Sequence, residues 1–267
     1  MYLSSSGYKL FKTCPRHYWH KYVDKTPLKW PDNKVNSLFG SIVGRVFEEF
    51  YSQRAWKQPK PLGFLLSRTR DLALKVIFAE ESKGGVIRYK DKDSKANYES
   101  FEALYTDVRE AIPRGLLTIK ENRFIGTEAE AEVKLDFRME NHIIGGRADF
   151  VIRRFQVGDL VILDGKGSKW REKYVDNEQL LWYAMLHKLS RGVAPDKLAF
   201  VYWRFEGEEA VGWLPYDPGD IPEFQAKVLE TMDRMAQMKI KSEYQMEHGS
   251  WCKLCEYLDA CDGVRLR

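Results

Sequence analysis

The chain has 267 residues, of which 44% are hydrophobic and 13% aromatic, enough for one substantial core. No apolar run approaches the ~18 residues of a membrane span, and MYLSSSGYKLF lacks the apolar stretch of a secretory signal, so a cytoplasmic (intracellular) location and no membrane partner are expected. Charged content of 31% places the chain with soluble proteins, and a net charge of +4 permits a nucleic-acid partner without demanding one.

The spacing of Leu10, Phe11, Tyr18, Trp19 and Tyr22 predicts a helix from Ser6 to about Tyr22, interrupted at Pro15. A polar loop follows, around Thr26 to Lys34. The next predicted helix runs from about Ser37 to Trp56, with Phe39, Val43, Val46, Phe47 and Phe50 as its apolar stripe. Helices are expected over about 63–83 and 98–121, the second kinked or split at Pro113, with a solvated loop from Gly84 to Asn97 between them.

The period then changes from helical to alternating. Glu128–Met139 reads as a strand, Glu140-Asn141 as a turn, and His142–Arg154 as a second strand. Leu160–Asp164 is a short apolar strand ending in an acid. A helix is expected from about Asp176 to Ser190, then strands over Lys197–Phe205 and Ala210–Tyr216 joined by a turn at Glu206-Gly207-Glu208. Pro222 opens a last helix reaching about Ile240. This order predicts an α/β fold with a mixed sheet flanked by helices. We expect a single domain over 1–267: a mainly helical part (1–125), a sheet core (126–216) and a C-terminal helix with a cysteine segment (217–267).

Two features carry chemistry. The chain has four cysteines, Cys14 before Pro15 and Cys252, Cys255 and Cys261 near the other end in the order C-x2-C-x5-C. In a reducing compartment such thiolates favour metal or cluster ligation over disulfides, and the spacing by itself admits both zinc and an iron–sulfur cluster. The second feature is acidic. Asp149 lies in Gly-Gly-Arg-Ala-Asp, and Asp164 and Lys166 lie in Asp-Gly-Lys at a strand end. Period-two alternation sets Asp164 and Lys166 on one face. Two carboxylates on paired strands suit Mg²⁺ or Mn²⁺, and the lysine can orient water or stabilise developing charge on a phosphate.

These residues, with Gln179-x-x-x-Tyr183 on the next helix, resemble the PD-(D/E)XK nuclease superfamily. The flanking cysteines resemble those of its RecB-like, iron–sulfur branch, which includes CRISPR-associated exonucleases and AddB-type nuclease domains. The resemblance spans about Ser4 to Cys261. It implies a restriction-endonuclease-like core, metal on Asp149, Asp164 and the Gly165 carbonyl, Lys166 as catalytic lysine, and Gln179 and Tyr183 lining the site. It also implies a [4Fe–4S] cluster on Cys14, Cys252, Cys255 and Cys261 that fastens the chain ends, with DNA hydrolysis as the reaction.

One departure stands out. Where the family carries Gly-x-x-x-His-x-x-x-Glu, this chain has Gly40, Gly44 and Glu48, so the histidine ligand is replaced by glycine. Glu48, one turn away on the same face, or a water is expected to complete an all-oxygen shell. Lys169, Trp170, Arg171 and Lys173 interleave cations and a ring, as a single-strand track needs. Of the five histidines, His17 and His20 are expected to pack near Cys14. No Walker-type phosphate loop is present, so any unwinding falls to a helicase, recombination or CRISPR partner. The expected function is a DNA exonuclease on single-stranded or frayed ends. The alternative is a nuclease fold with weak catalysis that binds DNA or a partner, which the missing histidine keeps open.

Overall fold

A computed structural model describes residues 2–28, 33–90, 96–126, 128–139, 142–171 and 177–261. The chain groups into two compact units, each built from separated segments: Met1–Trp30 with Asp136–Gly146 and Gly219–Arg267, and Pro31–Leu135 with Arg147–Pro218.

The first unit brings sequence-distant segments together. A three-residue strand, β1 (Tyr2–Ser4), pairs in parallel with the start of β3 (His142–Arg153), Tyr2 opposite Ile143. Sequence periodicity did not predict β1, because three residues are too few to show alternation. Ser4 ends it and caps α1 (Ser5–Thr13), its hydroxyl accepting from the Gly7 amide at 3.2 Å. The expected break at Pro15 is present. Cys14 is extended, Pro15 opens the single turn α2 (Pro15–Tyr18), and a π turn follows over Trp19–Val23. Helix α7 (Ile221–Gln237) packs Phe224 edge-on to Tyr8, ring centroids 6.0 Å apart. Arg16 ties the segment after Cys14 to the end of the chain, its Nε donating to the Tyr244 carbonyl at 2.8 Å.

The second unit holds α3 (Val35–Ser52), α4 (Pro61–Ser82), α5 (Phe101–Glu121), β4 (Leu160–Lys166), α6 (Asn177–Arg191), β5 (Lys197–Tyr202) and β6 (Val211–Trp213). Strand β2 (Ala129–Met139) pairs with β3. The later residues of β3 run antiparallel to β4, β4 runs parallel to β5, and β5 runs antiparallel to β6, which makes the expected mixed sheet. Val161, Ile162 and Leu163 of β4 are buried on both faces, as a near-continuous apolar run requires. On α3 the residues Leu38, Phe39, Ile42, Val43, Val46, Phe47 and Phe50 are all fully buried, each contributing roughly 1.5–3 kcal/mol. Phe47 stacks on Trp203 at 4.5 Å, and Phe150 meets the same indole edge-on.

Two expectations are corrected. Of the kink or split expected at Pro113, the split does not occur: helix α5 is continuous through it, with Ala111, Ile112 and Gly115 buried on either side. That packing outweighs the one backbone hydrogen bond that a proline forgoes. Strands β5 and β6 are shorter than predicted, because Trp203 and Arg204 turn out of the strand and a 3₁₀ turn occupies Gly207–Ala210.

Candidate active site

The register that pairs Phe150 with Leu163 sets Asp149 across from Asp164, one pair further along. Directly opposite residues share a face of the sheet, so both carboxylates point the same way. The Gly165 amide donates to Asp149 Oδ2 at 2.8 Å. Asp164 is 3% exposed, and its Oδ2 lies 2.5 Å from Lys166 Nζ.

Helix α6 supplies the bridge. Lys166 Nζ donates to Gln179 Oε1 at 2.9 Å, Gln179 Nε2 donates to Asp164 Oδ1 at 2.9 Å, and Nε2 also lies 3.3 Å from the Tyr183 hydroxyl. Gln179 and Tyr183 stand one helical turn apart, which puts both on the face that meets β4. The predicted set Asp149, Asp164, Lys166, Gln179 and Tyr183 is therefore one connected cluster.

Its electrostatics follow from burial. Burial pushes Asp149's pKa up to about 8; the Asp164 charge pushes the same way and the Gly165 amide opposes it. Burial also raises the Tyr183 phenol well above its ordinary value. Two facing carboxylates, Asp164 buried and Asp149 half-buried, call for a counter-charge, and their donors are all oxygen. That combination fits a small hard cation on Asp149 and Asp164, with the backbone at Gly165 adjacent. Among the described residues no group of three or more His, Cys, Asp or Glu is disposed to hold a metal ion, so the shell would need water beside the two acids.

Backbone packing explains the glycines around the lysine. A Cβ on Gly165 would lie 2.7 Å from Trp203 Nε1, and one on Gly167 would lie 2.6 Å from the Gly40 Cα. Gly44 is different, since a Cβ there meets nothing within 4 Å. Gly44, Glu48, Glu132, Asp149 and Gly165 line one cavity, so there is room where the family's imidazole stands. Glu48 is ion-paired with Arg45 on its own helix.

Glu132 is an acid that the sequence reading missed. It sits in β2 with a left-handed φ of 52°, a conformation rare for a residue other than glycine, and its charge adds to the upward push on Asp149. Arg147 partly offsets it at 3.1 Å. In sequence Glu128, Glu130 and Glu132 look alike. In the fold Glu128 pairs with Arg153 and Glu130 with Arg191, whereas Glu132 lines the acidic cavity.

The predicted basic track divides. Lys169 is exposed with Nζ 5.9 Å from the Tyr98 ring, and Trp170 is 64% exposed. Arg171 instead lies back on the sheet, 5.4 Å over the Tyr202 ring. Lys173 lies outside the described residues.

In the other unit Cys14, Cys252, Cys255 and Cys261 stand outside any disulfide and line one cavity with His17 and His20, as expected for those histidines. Cys255 lies 3.8 Å from His17 Nδ1, and burial raises its thiol pKa. They do not form a metal-holding group as placed.

The mixed sheet thus carries two facing acids and a lysine together at its strand ends. The model of the PD-(D/E)XK nuclease superfamily matches residues 2–262, and the chain belongs to that superfamily. In structure it is similar to a Eubacterium rectale protein named "Putative exonuclease", at a TM-score of 0.53 and 15% identity, covering 98% of this chain and 94% of that one. A likeness to the Vibrio cholerae protein VC1899 is weaker: TM-score 0.26, 11% identity, 77% of this chain and 58% of that one. Curated protein sequences contain no match. Among the described residues no helix is long and apolar enough to cross a membrane.

Proposed function

We propose that the chain is a RecB-like DNA nuclease dependent on Mg²⁺ or Mn²⁺, acting on single-stranded or frayed ends in recombination, repair or CRISPR-type processing. The carrying observation is the Asp149–Asp164–Lys166–Gln179 cluster. A bound divalent cation would activate water and offset charge on the scissile phosphate. Asp149 and Asp164 would hold it. Lys166, aimed by Gln179, would stabilise the negative charge that develops on phosphate oxygens. Tyr183 flanks the site from α6. Lys169 and Trp170 would take the strand beyond the scissile bond, the ammonium on a phosphate and the ring under a base. The name of the Eubacterium rectale neighbour agrees with the exonuclease mode.

The four cysteines support a second element, a structural [4Fe–4S] cluster joining the two ends of the chain. The donor set suits such a cluster because four cysteines, with no disulfide among them, line one cavity. A zinc site would use the same thiols.

A catalytically weak binding module is the competing reading, favoured by Gly44 and by the engagement of Glu48 with Arg45. The test is cleavage of end-labelled single- and double-stranded DNA with Mn²⁺ by anaerobically purified protein, beside Lys166→Ala. Cleavage lost in the variant supports the nuclease. Binding without cleavage under any divalent ion supports the module.

A further inference from the structure

Within the loop after Lys166 the Ser168 hydroxyl accepts from the Trp170 amide at 2.9 Å and donates to the Trp170 carbonyl at 3.0 Å, a local clamp that by itself leaves the head of the loop unsupported. Gly167 stands at that head, and glycine has the most conformational freedom to lose on ordering. Ser168, Lys169 and Trp170 then lead away from the strand. The two carbonyls at the head of this loop are nevertheless both tied. The Trp203 amide donates to the Lys166 carbonyl at 3.1 Å, and Arg204 Nε donates to the Gly167 carbonyl at 2.8 Å.

Both terminal nitrogens of the Arg204 guanidinium also bond to other elements of the same unit. Its Nη1 donates to Asp107 Oδ2 at 2.6 Å, and its Nη2 donates to the Tyr98 hydroxyl at 2.6 Å. Tyr98 in turn donates to Asp107 Oδ2 at 2.6 Å. The guanidinium plane lies 3.3 Å from the centre of the Phe39 ring on α3. A planar fork with donors on three sides is what such a junction needs; a lysine ammonium cannot reproduce it. Tyr98 also carries the exposed Lys169 ammonium above its ring, so one phenol touches both the latch and the loop that the latch holds.

We infer that Arg204 is a substrate-positioning residue: with Tyr98 and Asp107 it locks the Gly167–Trp170 loop, setting where Lys169 and Trp170 meet a nucleic-acid strand. The inference rests on the nuclease reading for its substrate. Arg204 acts through the loop and touches no reacting atom. Its loss therefore affects binding of the strand more than the chemical step.

The test uses the full chain carrying Arg204→Lys, and separately Tyr98→Phe, which keeps the ring under Lys169 and removes only the hydroxyl. Steady-state cleavage of a labelled single strand is measured together with the rate of tryptic cutting after Lys169. For Arg204→Lys, KM should rise about tenfold with kcat nearly unchanged, the factor that one hydrogen bond to a charged group commands. Tryptic cutting after Lys169 should quicken about tenfold at temperatures where circular dichroism shows the variant fully folded, by the same local unlocking. Tyr98→Phe should move both in the same direction by less.

Unchanged KM and unchanged tryptic rate in folded variants would overturn the inference while leaving the nuclease intact. A fall in kcat alone would also overturn it, since that places Arg204 in the chemical step. A wild-type chain that cleaves no DNA, with the loop still opened in the variants, would remove the nuclease reading and leave the latch supported.

Discussion

The amide of Gly165 donates to Oδ2 of Asp149 at 2.8 Å, so the acid of one strand is held by the backbone between the acid and the lysine of the next. That bond makes three motif residues into one object. It orients Asp149 and leaves its burial to be balanced by charge from outside the pair.

Gln179 links the remaining parts. It receives from Lys166 and donates to Asp164, so a residue that cannot do both leaves two buried charges without their bridge. Gln179→Leu should lower kcat by 10- to 100-fold, roughly the range seen when partners behind metal ligands are removed. Kinetics at saturating Mn²⁺ would check this, and full activity in the variant would remove Gln179 from the site.

The raised pKa of Asp149 has a stability consequence. Its ordinary value is 3.8 and burial pushes it up to about 8, so between those values the unfolded chain loses a proton that the native protein keeps. The native state then binds more protons, and stability falls as pH rises through this window. Thermal unfolding of metal-free protein should show that decline, and Asp149→Asn should flatten it. Added Mg²⁺ should recover stability most at the alkaline end, because the cation competes with the proton for the same carboxylates. A metal-free profile identical in wild type and Asp149→Asn would refute this coupling.

Gly44 stands over open space beside Asp149 and Gly165. Gly44→His should therefore be accommodated and should gain helix propensity of several tenths of a kcal/mol. It should also raise affinity for Co²⁺ relative to Mg²⁺, since imidazole favours later transition metals. Calorimetric titration of both ions into both proteins decides the point. An unchanged Co²⁺ to Mg²⁺ ratio would mean that the imidazole does not reach the acids.

The cysteine cavity makes a separate prediction. Anaerobic protein should be brown and contain iron and acid-labile sulfide, and Cys14→Ser or Cys255→Ser should lose the colour and the thermal stability together. Colourless protein with stoichiometric zinc would replace the cluster with a tetrahedral zinc site.

Asp149, Asp164, Lys166, Gln179 and Tyr183 were picked out through the resemblance to the family, and local periodicity explains why the fold brings them together. Alternation puts Asp164 and Lys166 on one face, a helical turn aligns Gln179 with Tyr183, and a strand hairpin brings Asp149 alongside. The mixed sheet was legible through the shift from a helical to an alternating pattern.

Other features depend on partners far along the chain. Glu132 differs from Glu128 and Glu130 in its left-handed backbone and its place in the acidic cavity, neither of which any pattern announces. Glu48, expected (or a water) to complete the metal shell, lines the acidic cavity and also pairs with Arg45, a partner that spacing alone does not announce. Strand β1 exists because His142–Gly145 lies beside it, and α5 passes through Pro113 because its neighbours are buried. Arg204 reads as one cation among many until Gly167, Asp107, Tyr98 and Phe39 surround it. The sequence by itself determined which residue types could do the chemistry and on which faces of their elements they stand, because period and spacing are local. Only the tertiary structure decided which charges are buried, which are already paired and what holds the loop after Lys166, because burial and pairing arise from contacts between segments that the chain separates.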